Sequence, residues 1–554
     1  MTALCRAGRL QIVQPSSSTK SLAEKMGCSL VTAAVLESRG GTEKDRDHFL
    51  GLDPVPEKSL IDCLDLGSGA PEAAERWKRL PALGKVLVYG DYDVDGVSST
   101  TLAMEICREK ARLVRYFIPH RHDQGYGLHE SVLRKLLPMG WDTLFVVDCG
   151  SKDTGIISMA ENAGLNVFVF DHHQPEEGMP FHSSVVNPHG QGGNAAGKAL
   201  CATGVLWTWA RKYGILPEKR LESMKDLAAL ATLADCMPLT QFNRLLVKDG
   251  IGLMRSSPRP GLAKLFSRLG LSPASLSEET LTMKVIPCLN AAGRMELADT
   301  AVAVLCGGGG TDGKVETLLA LNRKRQTLSG KISEEAAVLL SGSANHVALG
   351  ESWPVGVLSG VASRICSVKS APVVLAAPVN GGIRGTLRVP EGGDAMKVLD
   401  PISPLLDAWG GHQYAAGFSV ARDKWDDVST YLEDALSAME VEEPFLTALD
   451  FPPGEISMKS WKEVVSLGPF GNGNPAPLFF VSRTGGEKLL PLGKDGRHLQ
   501  IESGSERLLA FDGERSRNEI SSSSGWLYRP RLDYWRGRER LQFIVDYIVT
   551  GDIG

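Results

Sequence analysis

Short apolar runs alternate with longer helix-like stretches from about residue 85 onward. The runs are rich in Val and Phe and read KVLVY, ARLVRYFI, TLFVV and NVFVF. Runs of this length and composition are typical of buried strands. Strands that alternate with helices form parallel sheets, so this part of the chain predicts an α/β domain.

The pattern differs on either side of this stretch. Before it, AEKMGCSLVTAAVLESRG ends at a Gly-Gly stop and EAAERWKRL follows, which predicts short helices. After it the chain is mostly helical to about residue 340 and then returns to mixed α/β character. The turn-rich GPFGNGNPAPLFF introduces short alternating strands, which predict a small β-barrel or sandwich.

These shifts predict five segments along the chain. They are an N-terminal helical region (1–80), a parallel-sheet α/β domain (81–255), a helical connector (256–340), a smaller α/β domain (341–440) and an all-β domain (441–554). The fold class is therefore α/β with a C-terminal β domain.

Composition narrows the classes of function. Lys and Arg total 60 against 65 Asp and Glu, a net charge of −5, which argues against a protein that coats duplex nucleic acid through a uniformly basic surface. A local basic groove is still compatible with this net charge. The 10 cysteines form no CxxC pair, which argues against a zinc ribbon and a disulfide framework. Without a signal-peptide pattern or an apolar run of about 18 residues, we expect a cytoplasmic protein with no membrane segment.

Three of the predicted parallel strands run into acidic residues. In open α/β sheets ligands bind beyond the carboxyl ends of the strands, so these groups should share one crevice. Clustered carboxylates repel one another, and divalent cations neutralise them. Asp and His without Cys suit Mn²⁺ or Mg²⁺, and imidazole favours Mn²⁺. The strand-end residues are Asp91, Asp93 and Asp95 after KVLVY, Asp148 after TLFVV, and Asp171, His172 and His173 after NVFVF.

Other interpretations of these residues are weaker. An EF-hand loop starting at Asp91 would need Glu at its twelfth position, where Leu102 stands. The chain has neither GxGxxG after its first strand nor GxxxxGK[ST], which disfavours a dinucleotide site and excludes a P-loop. Taken alone, Asp148 fits a solvated turn and Asp171 a helix cap, but three successive coincidences argue against this. Asp235, which ends ALATLAD, fits a helix terminus on pattern alone.

Taken in order, VYGDYDVDGVSST, VVDCG, FDHHQ and TLADCMPL resemble motifs I to IV of the DHH phosphoesterase superfamily. Within it, the chain resembles the RecJ family of single-stranded-DNA exonucleases over nearly its whole length. The segments that carry this likeness are IPHRHDQGYGL, NAAGRM, GGHQYAAGFSV, PFGNGNPAPLFF, HLQIE and LDYWRGRERLQFIVDYI. The resemblance implies a DHH domain, a DHHA1 domain and a C-terminal OB-fold.

The resemblance also implies a metal site and its chemistry. Two Mn²⁺ or Mg²⁺ ions would hydrolyse a phosphodiester bond, with Asp148 bridging them. Asp171 would orient the histidine pair and His173 would face the scissile phosphate, so we predict Asp148, Asp171, His172 and His173 as catalytic. The implied metal ligands are Asp91, Asp93, Asp95, Asp148, His172 and Asp235.

The substrate residues are implied in the same way. Arg121, Thr386 and Arg388 match the family's pocket for a 5′ phosphate, which would explain 5′→3′ polarity. Gly410, Gly411 and His412 match a phosphate-contacting loop, and Arg294 closes the NAAGR segment. On pattern alone, GGHQYAAGF also fits a glycine turn with close helix packing around Ala415, Ala416 and Gly417.

The chain departs from the family at several of its DNA-contacting positions. Thr386 stands where Ser is usual, and VPEGG replaces a Ser-rich continuation after Arg388. Pro354 replaces a His, and Cys288 replaces an Arg. These changes bear on DNA binding and leave the predicted metal ligands intact.

The C-terminal stretch WLYRPRLDYWRGRER has the composition of a single-strand-binding groove. Such grooves combine basic groups that follow phosphates with aromatic rings that stack on bases. A hairpin with charged outer and aromatic inner faces is the alternative. The residues concerned are Arg529, Arg531, Arg536, Arg538, Arg540, Trp526, Tyr528, Tyr534 and Trp535.

We therefore predict a single-stranded-DNA-specific 5′→3′ exonuclease that releases 5′-mononucleotides in recombination and repair. The family suggests single-strand-binding protein and a DNA helicase as partners, and we expect a monomer. One alternative is a DHH/DHHA1 phosphoesterase that cleaves short oligonucleotides or cyclic dinucleotides. Another is a non-catalytic scaffold, which would be expected to have lost metal ligands.

Overall fold

The structure is a computed structural model of the chain. It describes residues 5–6, 9–41, 56–120, 125–175, 179–341, 345–442, 445–535 and 538–550. Within those ranges, no helix combines the length and apolar character that a membrane span requires.

Helices and strands alternate in the first part of the chain. In order they are β1 (Cys5–Arg6), β2 (Arg9–Val13), α1 (Ser17–Met26), α2 (Leu30–Glu37), α3 (Glu57–Asp62), α4 (Gly69–Arg79), β3 (Gly84–Tyr89), α5 (Val94–Cys107), β4 (Ala111–Phe117), α6 (Glu130–Leu136), β5 (Thr143–Val147), α7 (Thr154–Asn162), β6 (Asn166–Phe170) and β7 (Val185–Val186).

A mainly helical region follows, with one π-helical turn at Leu281–Val285. Its helices are α8 (Ala195–Lys198), α9 (Ala202–Lys212), α10 (Glu218–Glu222), α11 (Lys225–Ala234), α12 (Gln241–Ser256), α13 (Pro260–Arg268), α14 (Glu278–Thr280), α15 (Ile286–Met295), α16 (Asp299–Cys306) and α17 (Thr311–Leu339).

The last part of the chain returns to strands. Its elements are β8 (Val347–Leu349), α18 (Val355–Lys369), β9 (Val373–Val379), β10 (Gly382–Arg388), α19 (Ala395–Leu399), β11 (Ala408–His412), β12 (Ala415–Ala421), α20 (Trp425–Ser437), β13 (Phe445–Asp450), α21 (Met458–Ser466), β14 (Phe479–Ser482), β15 (Lys488–Leu492), β16 (His498–Ser503), β17 (Glu506–Ala510), α22 (Arg517–Ser522), β18 (Gly525–Trp535) and β19 (Arg538–Val549).

The chain divides into two compact units. One comprises residues 47–323 and 465–476, and the other comprises residues 1–46, 324–464 and 477–554. The first unit contains a parallel sheet in the order β4-β3-β5-β6-β7. After β3 the chain adds β4 on one side and then β5 on the other. The edge beyond β3 and β5 is therefore the switch point at which such sheets bind ligands.

Both faces of this sheet are covered, because alternate residues of its strands pack on opposite sides. Val86, Val88, Phe145 and Phe168 face a core that includes Trp77 of α4. The other face carries Leu87, Leu144 and Val146, which pack with residues of α6 and α7. Strands buried on both faces give near-continuous apolar runs, as KVLVY and TLFVV show.

The second unit contains two further sheets. One has the order β11-β12-β10-β9-β8, antiparallel except between β8 and β9. The other runs β15-β16-β17-β19-β18-β14-β13-β2, with β1 beside β19. The predicted fold class is thus confirmed: a parallel α/β domain, a smaller α/β domain and a C-terminal strand-rich domain.

Two sequence-based expectations about the chain ends need correction. Residues 9–13 form strand β2, where the sequence predicted helices, and β2 pairs in parallel with β13 near the other end of the chain. A single strand whose partner is so distant leaves no local signal, since strand preference depends on neighbours. Trp526 and Tyr528, considered for base stacking, lie in the core of the C-terminal sheet with 1% and 0% exposure.

Candidate active site

The acidic residues of the three strand ends lie at the carboxyl edge of the parallel sheet. Asp91 follows β3, Asp148 follows β5 and Asp171 follows β6, and all three are buried. Asp148 has a φ of 61°, a left-handed conformation that costs a non-glycine residue about 1 kcal/mol or more. Its N–H donates to the Phe170 carbonyl at 2.9 Å, which ties the ends of β5 and β6 together.

The DxDxDG segment folds as a tight entry into α5. Asp93 is the N-cap of this helix, and its side chain accepts a hydrogen bond from Gly96 N at 3.0 Å. A Cβ at Gly96 would overlap the Asp91 carbonyl, so glycine is required there. The helix start thereby places Asp91 and Asp93 just before α5 and Asp95 in its first turn.

Asp95 is fixed by a second helix. Its carboxylate accepts hydrogen bonds from Ala202 N at 2.6 Å and Thr203 N at 2.8 Å, at the start of α9. The Thr203 hydroxyl donates to it as well. These three hydrogen bonds from the first residues of α9 hold the buried carboxylate in one orientation.

His172 lies at the centre of the carboxylates. Its Nε2 is 3.7 Å from Asp95 Oδ2, 3.6 Å from Asp148 Oδ1 and 3.2 Å from Asp235 Oδ2. Asp235 follows the last residue of α11, so it joins the site from a helix rather than a strand. Three sets of side chains have ligand atoms close enough to share a cation: Asp91, Asp93 and Asp148; Asp95, His172 and Asp235; and Asp148, His172 and His173.

Burial and mutual repulsion make it unfavourable for the clustered carboxylates to ionise without a bound cation. Burial raises the pKa of Asp148 well above its ordinary value, and the nearby charges of Asp95 and Asp93 raise it further. Burial and the same two neighbours raise the pKa of Asp235. Divalent cations reverse this penalty because they supply the missing positive charge, so the donor set fits Mn²⁺ or Mg²⁺.

Asp171 has a different environment from the other carboxylates. It accepts hydrogen bonds from His173 Nδ1 at 2.8 Å and from Ser151 N at 3.1 Å. Although burial opposes ionisation, these bonds and the neighbouring imidazoles lower the pKa of Asp171. Burial lowers the pKa of His173 less than Asp171 raises it, and the result is a pKa of about 9. The contact with Asp171 therefore favours the protonated form of His173 and orients its ring.

Sequence reasoning missed two residues beside His173. Asn187 directly follows β7 and is 2% exposed, and its Nδ2 donates to the His173 carbonyl at 3.0 Å and to Ser151 Oγ at 2.9 Å. It is a fourth strand-end residue, but its strand is only two residues long and so gives no pattern. The ring of Tyr126 lies 4.9 Å from that of His173.

In the other unit, the predicted substrate residues share one end of a sheet. Thr386 and Arg388 lie on β10, and Arg388 Nη1 donates to Thr386 Oγ1 at 2.8 Å while Nε donates to Ser363 Oγ at 3.0 Å. On the neighbouring β12, Ala415 pairs with both Arg388 and His412. Gly410 and Gly411 lie beside them on β11, so these five residues converge.

The segment GGHQYAAGF forms two strands joined by a turn, and Ala416 packs in a core with helical residues that include Ala395 and Leu432. β11 and β12 form a hairpin, and Gly411 has a φ of 155° with the Ala415 carbonyl directly beside its Cα. A side chain there would overlap that carbonyl. Gly411 thus allows two backbones to approach closely at an exposed edge.

The remaining predicted residues are placed as follows. Arg294 follows Gly293, which packs against the carbonyl of Tyr92 within the DxDxDG segment. Arg121 lies outside the described residues. Among the departures, Cys288 is fully buried with its Sγ 3.3 Å from Asn322 Nδ2, and Pro354 caps α18.

The C-terminal stretch forms the hairpin β18–β19, as the alternative interpretation expected. Tyr528 donates to the Phe451 carbonyl at 2.6 Å and Arg529 pairs with Asp546 at 2.7 Å, so both have structural partners. Tyr534 donates to Glu539. The side chain of Trp535 and all of Arg536 lie outside the described residues. The exposed residues of the basic set are Arg531, Arg538 and Arg540.

Comparison with protein families identifies three matching domains along the chain. Residues 85–234 match the N-terminal domain of the DHH family, residues 341–438 match the DHHA1 domain, and residues 448–547 match the RecJ OB domain. The DHH match includes every metal-ligand candidate except Asp235, which lies one residue beyond its end.

Curated relatives and solved structures agree with this. The single-stranded-DNA-specific exonuclease RecJ of Bacillus subtilis is 30% identical, over 97% of this chain and 70% of its own length. That of Dickeya dadantii is 29% identical, over 89% of this chain and 92% of its own. The structure of Thermus thermophilus RecJ in complex with Mn²⁺ matches with a TM-score of 0.78 and 26% identity, covering 99% of this chain and 81% of that one. The chain belongs to the RecJ family of DHH phosphoesterases.

Proposed function

We propose that this protein is a single-stranded-DNA-specific exonuclease that removes 5′-mononucleotides in the 5′→3′ direction. One observation carries the proposal. Buried carboxylates and two imidazoles converge at the switch point of the parallel sheet. The chain that carries these residues is similar, over 97% of its own residues, to a single-stranded-DNA-specific exonuclease. A role in DNA recombination and repair follows from the same relationship.

The proposed ligand sets use the clusters found at the sheet edge. Asp91, Asp93 and Asp148 would hold one ion. Asp95, His172 and Asp235 would hold the other, with Asp148 close enough to His172 to be shared. Two bound ions supply an activated water and charge stabilisation of the leaving oxygen in phosphodiester hydrolysis. Asp95 is held by the start of α9, so its position is set before an ion binds.

His173 is the proposed phosphate-facing group. Its imidazolium is kept charged by Asp171 and placed by that residue through Nδ1. A fixed cation beside a phosphodiester stabilises the charge that develops on the transferred phosphorus oxygens. Because Asp171 is hydrogen-bonded to Nδ1 of His173, the nitrogen that faces the phosphate in this proposal is Nε2.

The Thr386–Arg388 pair supports recognition of a phosphate. Thr386 is 9% exposed and its hydroxyl accepts from Arg388, so the two side chains form a preorganised unit. Guanidinium groups recognise phosphate oxygens in two-point geometry. A terminal 5′ phosphate bound there would set the direction of degradation.

A substrate panel tests the proposal. Purified protein with Mn²⁺ is given single-stranded DNA, blunt duplex DNA, di- to pentanucleotides and a cyclic dinucleotide, and products are resolved by mass. We expect mononucleotides from long single strands and little cleavage of the duplex. Cleavage confined to the short or cyclic substrates would instead identify a small-substrate phosphoesterase. DNA binding without hydrolysis would identify a scaffold. Single-strand-binding protein and a helicase as partners, the monomeric state and the cytoplasmic location stay predictions.

A further inference from the structure

Residues 465–476, here called the 465–476 loop, pack within the unit that contains the parallel sheet. They do so although they lie inside the segment that matches the RecJ OB domain. The loop carries the GPFGNGNP motif, to which the proposed chemistry assigns no role. Among its contacts are hydrogen bonds to the turn that follows the metal-ligand candidate Asp235.

That turn is conformationally unusual. α11 ends at Ala234, and Cys236 adopts a left-handed conformation with a φ of 54°. Met237 N then donates to the Thr232 carbonyl at 3.0 Å, which closes the helix end. Glycine is the usual residue at such a position, because a residue with a side chain is strained there. The turn around Asp235 therefore needs support from elsewhere in the protein.

Asn472 supplies that support at both ends of the turn. Its side-chain Nδ2 donates to the Cys236 carbonyl at 3.1 Å. Its own backbone carbonyl accepts from Leu239 N at 2.7 Å. The carbonyl of residue 236 and the N–H of residue 239 are the two groups that a β-turn would pair with each other. Asn472 bridges them instead and so fixes the path of the chain after Asp235.

The rest of the loop is fitted against the same turn. Gly473 has a φ of 73°, and a Cβ there would lie 3.0 Å from Thr240 Cγ2 and 3.4 Å from Pro238 Cβ. Arg244 donates to the Ser466 and Leu467 carbonyls, each at 3.3 Å. These contacts hold the loop in place, so that Asn472 meets the turn in one geometry.

We propose that Asn472 is a positioning residue for the metal ligand Asp235. The proposal rests on the proposed metal-dependent function. By holding the Cys236–Leu239 turn, Asn472 keeps the Asp235 carboxylate at 3.2 Å from His172 Nε2, where the two share a ligand set. Groups that orient a ligand usually change metal affinity by about 10- to 100-fold when removed.

Three variants of the full chain test this. Asn472→Ala removes the side-chain donor, and because Asn472 is exposed the change leaves no cavity. Gly473→Ala introduces the Cβ that crowds Thr240 and Pro238. Gly485→Ala is the matched control, since Gly485 also has a positive φ, 87°, but nothing within 4 Å of its added Cβ. The control carries the same backbone strain without touching the turn.

Mn²⁺ affinity is measured by calorimetry, alongside the Mn²⁺ concentration for half-maximal hydrolysis, the KM for single-stranded DNA and the Tm in EDTA. We expect Asn472→Ala and Gly473→Ala to weaken Mn²⁺ binding at the site that includes Asp235 by about 10-fold. Excess Mn²⁺ should restore kcat, with KM unchanged. Gly485→Ala should match the wild type in Mn²⁺ affinity.

The outcomes separate this inference from the proposed function. Wild-type Mn²⁺ affinity in both loop variants overturns the positioning role, whatever happens to their Tm. A loss that excess Mn²⁺ does not restore also overturns it. If the wild-type protein itself neither binds Mn²⁺ nor hydrolyses DNA, the proposed function fails, and the inference fails with it for that separate reason.

Discussion

His172 Nε2 and Asp235 Oδ2 lie 3.2 Å apart, although one residue follows a strand and the other follows a helix. The strand end belongs to β6 of the parallel sheet, and the helix is α11. This contact completes the ligand set that Asp95 begins. The proposed metal centre is therefore not a product of the sheet edge alone, and its integrity depends on how α11 ends.

Replacing Asp148 with Asn should separate stability from function. Burial and the neighbouring carboxylates raise the pKa of Asp148, so ionising this side chain costs the metal-free folded protein free energy that Asn would not cost. We expect Asp148→Asn to raise the Tm in EDTA by about 3 °C and to abolish Mn²⁺ binding and hydrolysis. Differential scanning calorimetry with and without Mn²⁺ measures both effects. A lower Tm in EDTA would contradict the electrostatic account.

The raised pKa of Asp148 also predicts how the stability of the metal-free protein depends on pH. A carboxyl whose pKa is higher in the folded state than in the unfolded state contributes stability that is present at low pH and lost as pH rises through the folded-state value. Burial and neighbouring charges raise the pKa of Asp148 and Asp235 in this way. The stability difference between wild type and Asp148→Asn in EDTA should therefore widen as pH rises above the ordinary carboxyl pKa of about 4, which denaturant unfolding at a series of pH values measures.

His173→Ala tests whether this imidazole serves the phosphate or the metal. Asp171 occupies Nδ1 of His173, so we expect hydrolysis to fall by about 10²- to 10³-fold while Mn²⁺ affinity stays as in the wild type. Stopped-time hydrolysis assays and calorimetry measure the two quantities. A loss of Mn²⁺ affinity would make His173 a ligand beside Asp148 and His172.

Asn187→Ala removes the amide that holds the His173 carbonyl and Ser151. We expect kcat to fall by about 10-fold, with KM for DNA unchanged, because the imidazole would lose its fixed position. Asn166→Ala is the control, since its amide donates to the Asp142 carbonyl at the opposite edge of the same sheet. Because Asn187 is buried, Ser151→Ala provides a milder test of the same network. Wild-type kcat in both Asn187→Ala and Ser151→Ala would exclude the role.

Arg388→Ala tests the proposed 5′-phosphate pocket. We expect it to reduce the preference for 5′-phosphorylated over 5′-hydroxyl single strands by about 10-fold or more, since a charge-assisted phosphate contact is lost. Arg384→Ala, on the same strand but paired with Ser419 at the other end, should keep the preference. Competition between 5′-phosphorylated and 5′-hydroxyl oligonucleotides measures this preference. Equal loss in both variants would point to general basic attraction.

The sequence was most informative where local pattern and chemistry coincide. KVLVY, TLFVV and NVFVF each end in acidic residues, and parallel strands bring such ends together, so the positions of Asp91, Asp148 and Asp171 could be predicted. Asp235 could be included only through resemblance, because a helix-terminal Asp is common. Asn187 gave no signal because β7 has two residues. Strand β2 and the bridge from Asn472 to the 236–239 turn depend on partners hundreds of residues away, which no local pattern records.

The most direct test of the central claim is a time course on a 5′-phosphorylated single-stranded oligonucleotide in Mn²⁺. The label is placed at either end, and Asp148→Ala serves as the inactive control. The account predicts early release of labelled mononucleotide from the 5′ end, with the 3′ label retained in progressively shorter fragments, and neither in the control. Earlier release of the 3′ label, or undiminished hydrolysis by Asp148→Ala, would contradict it.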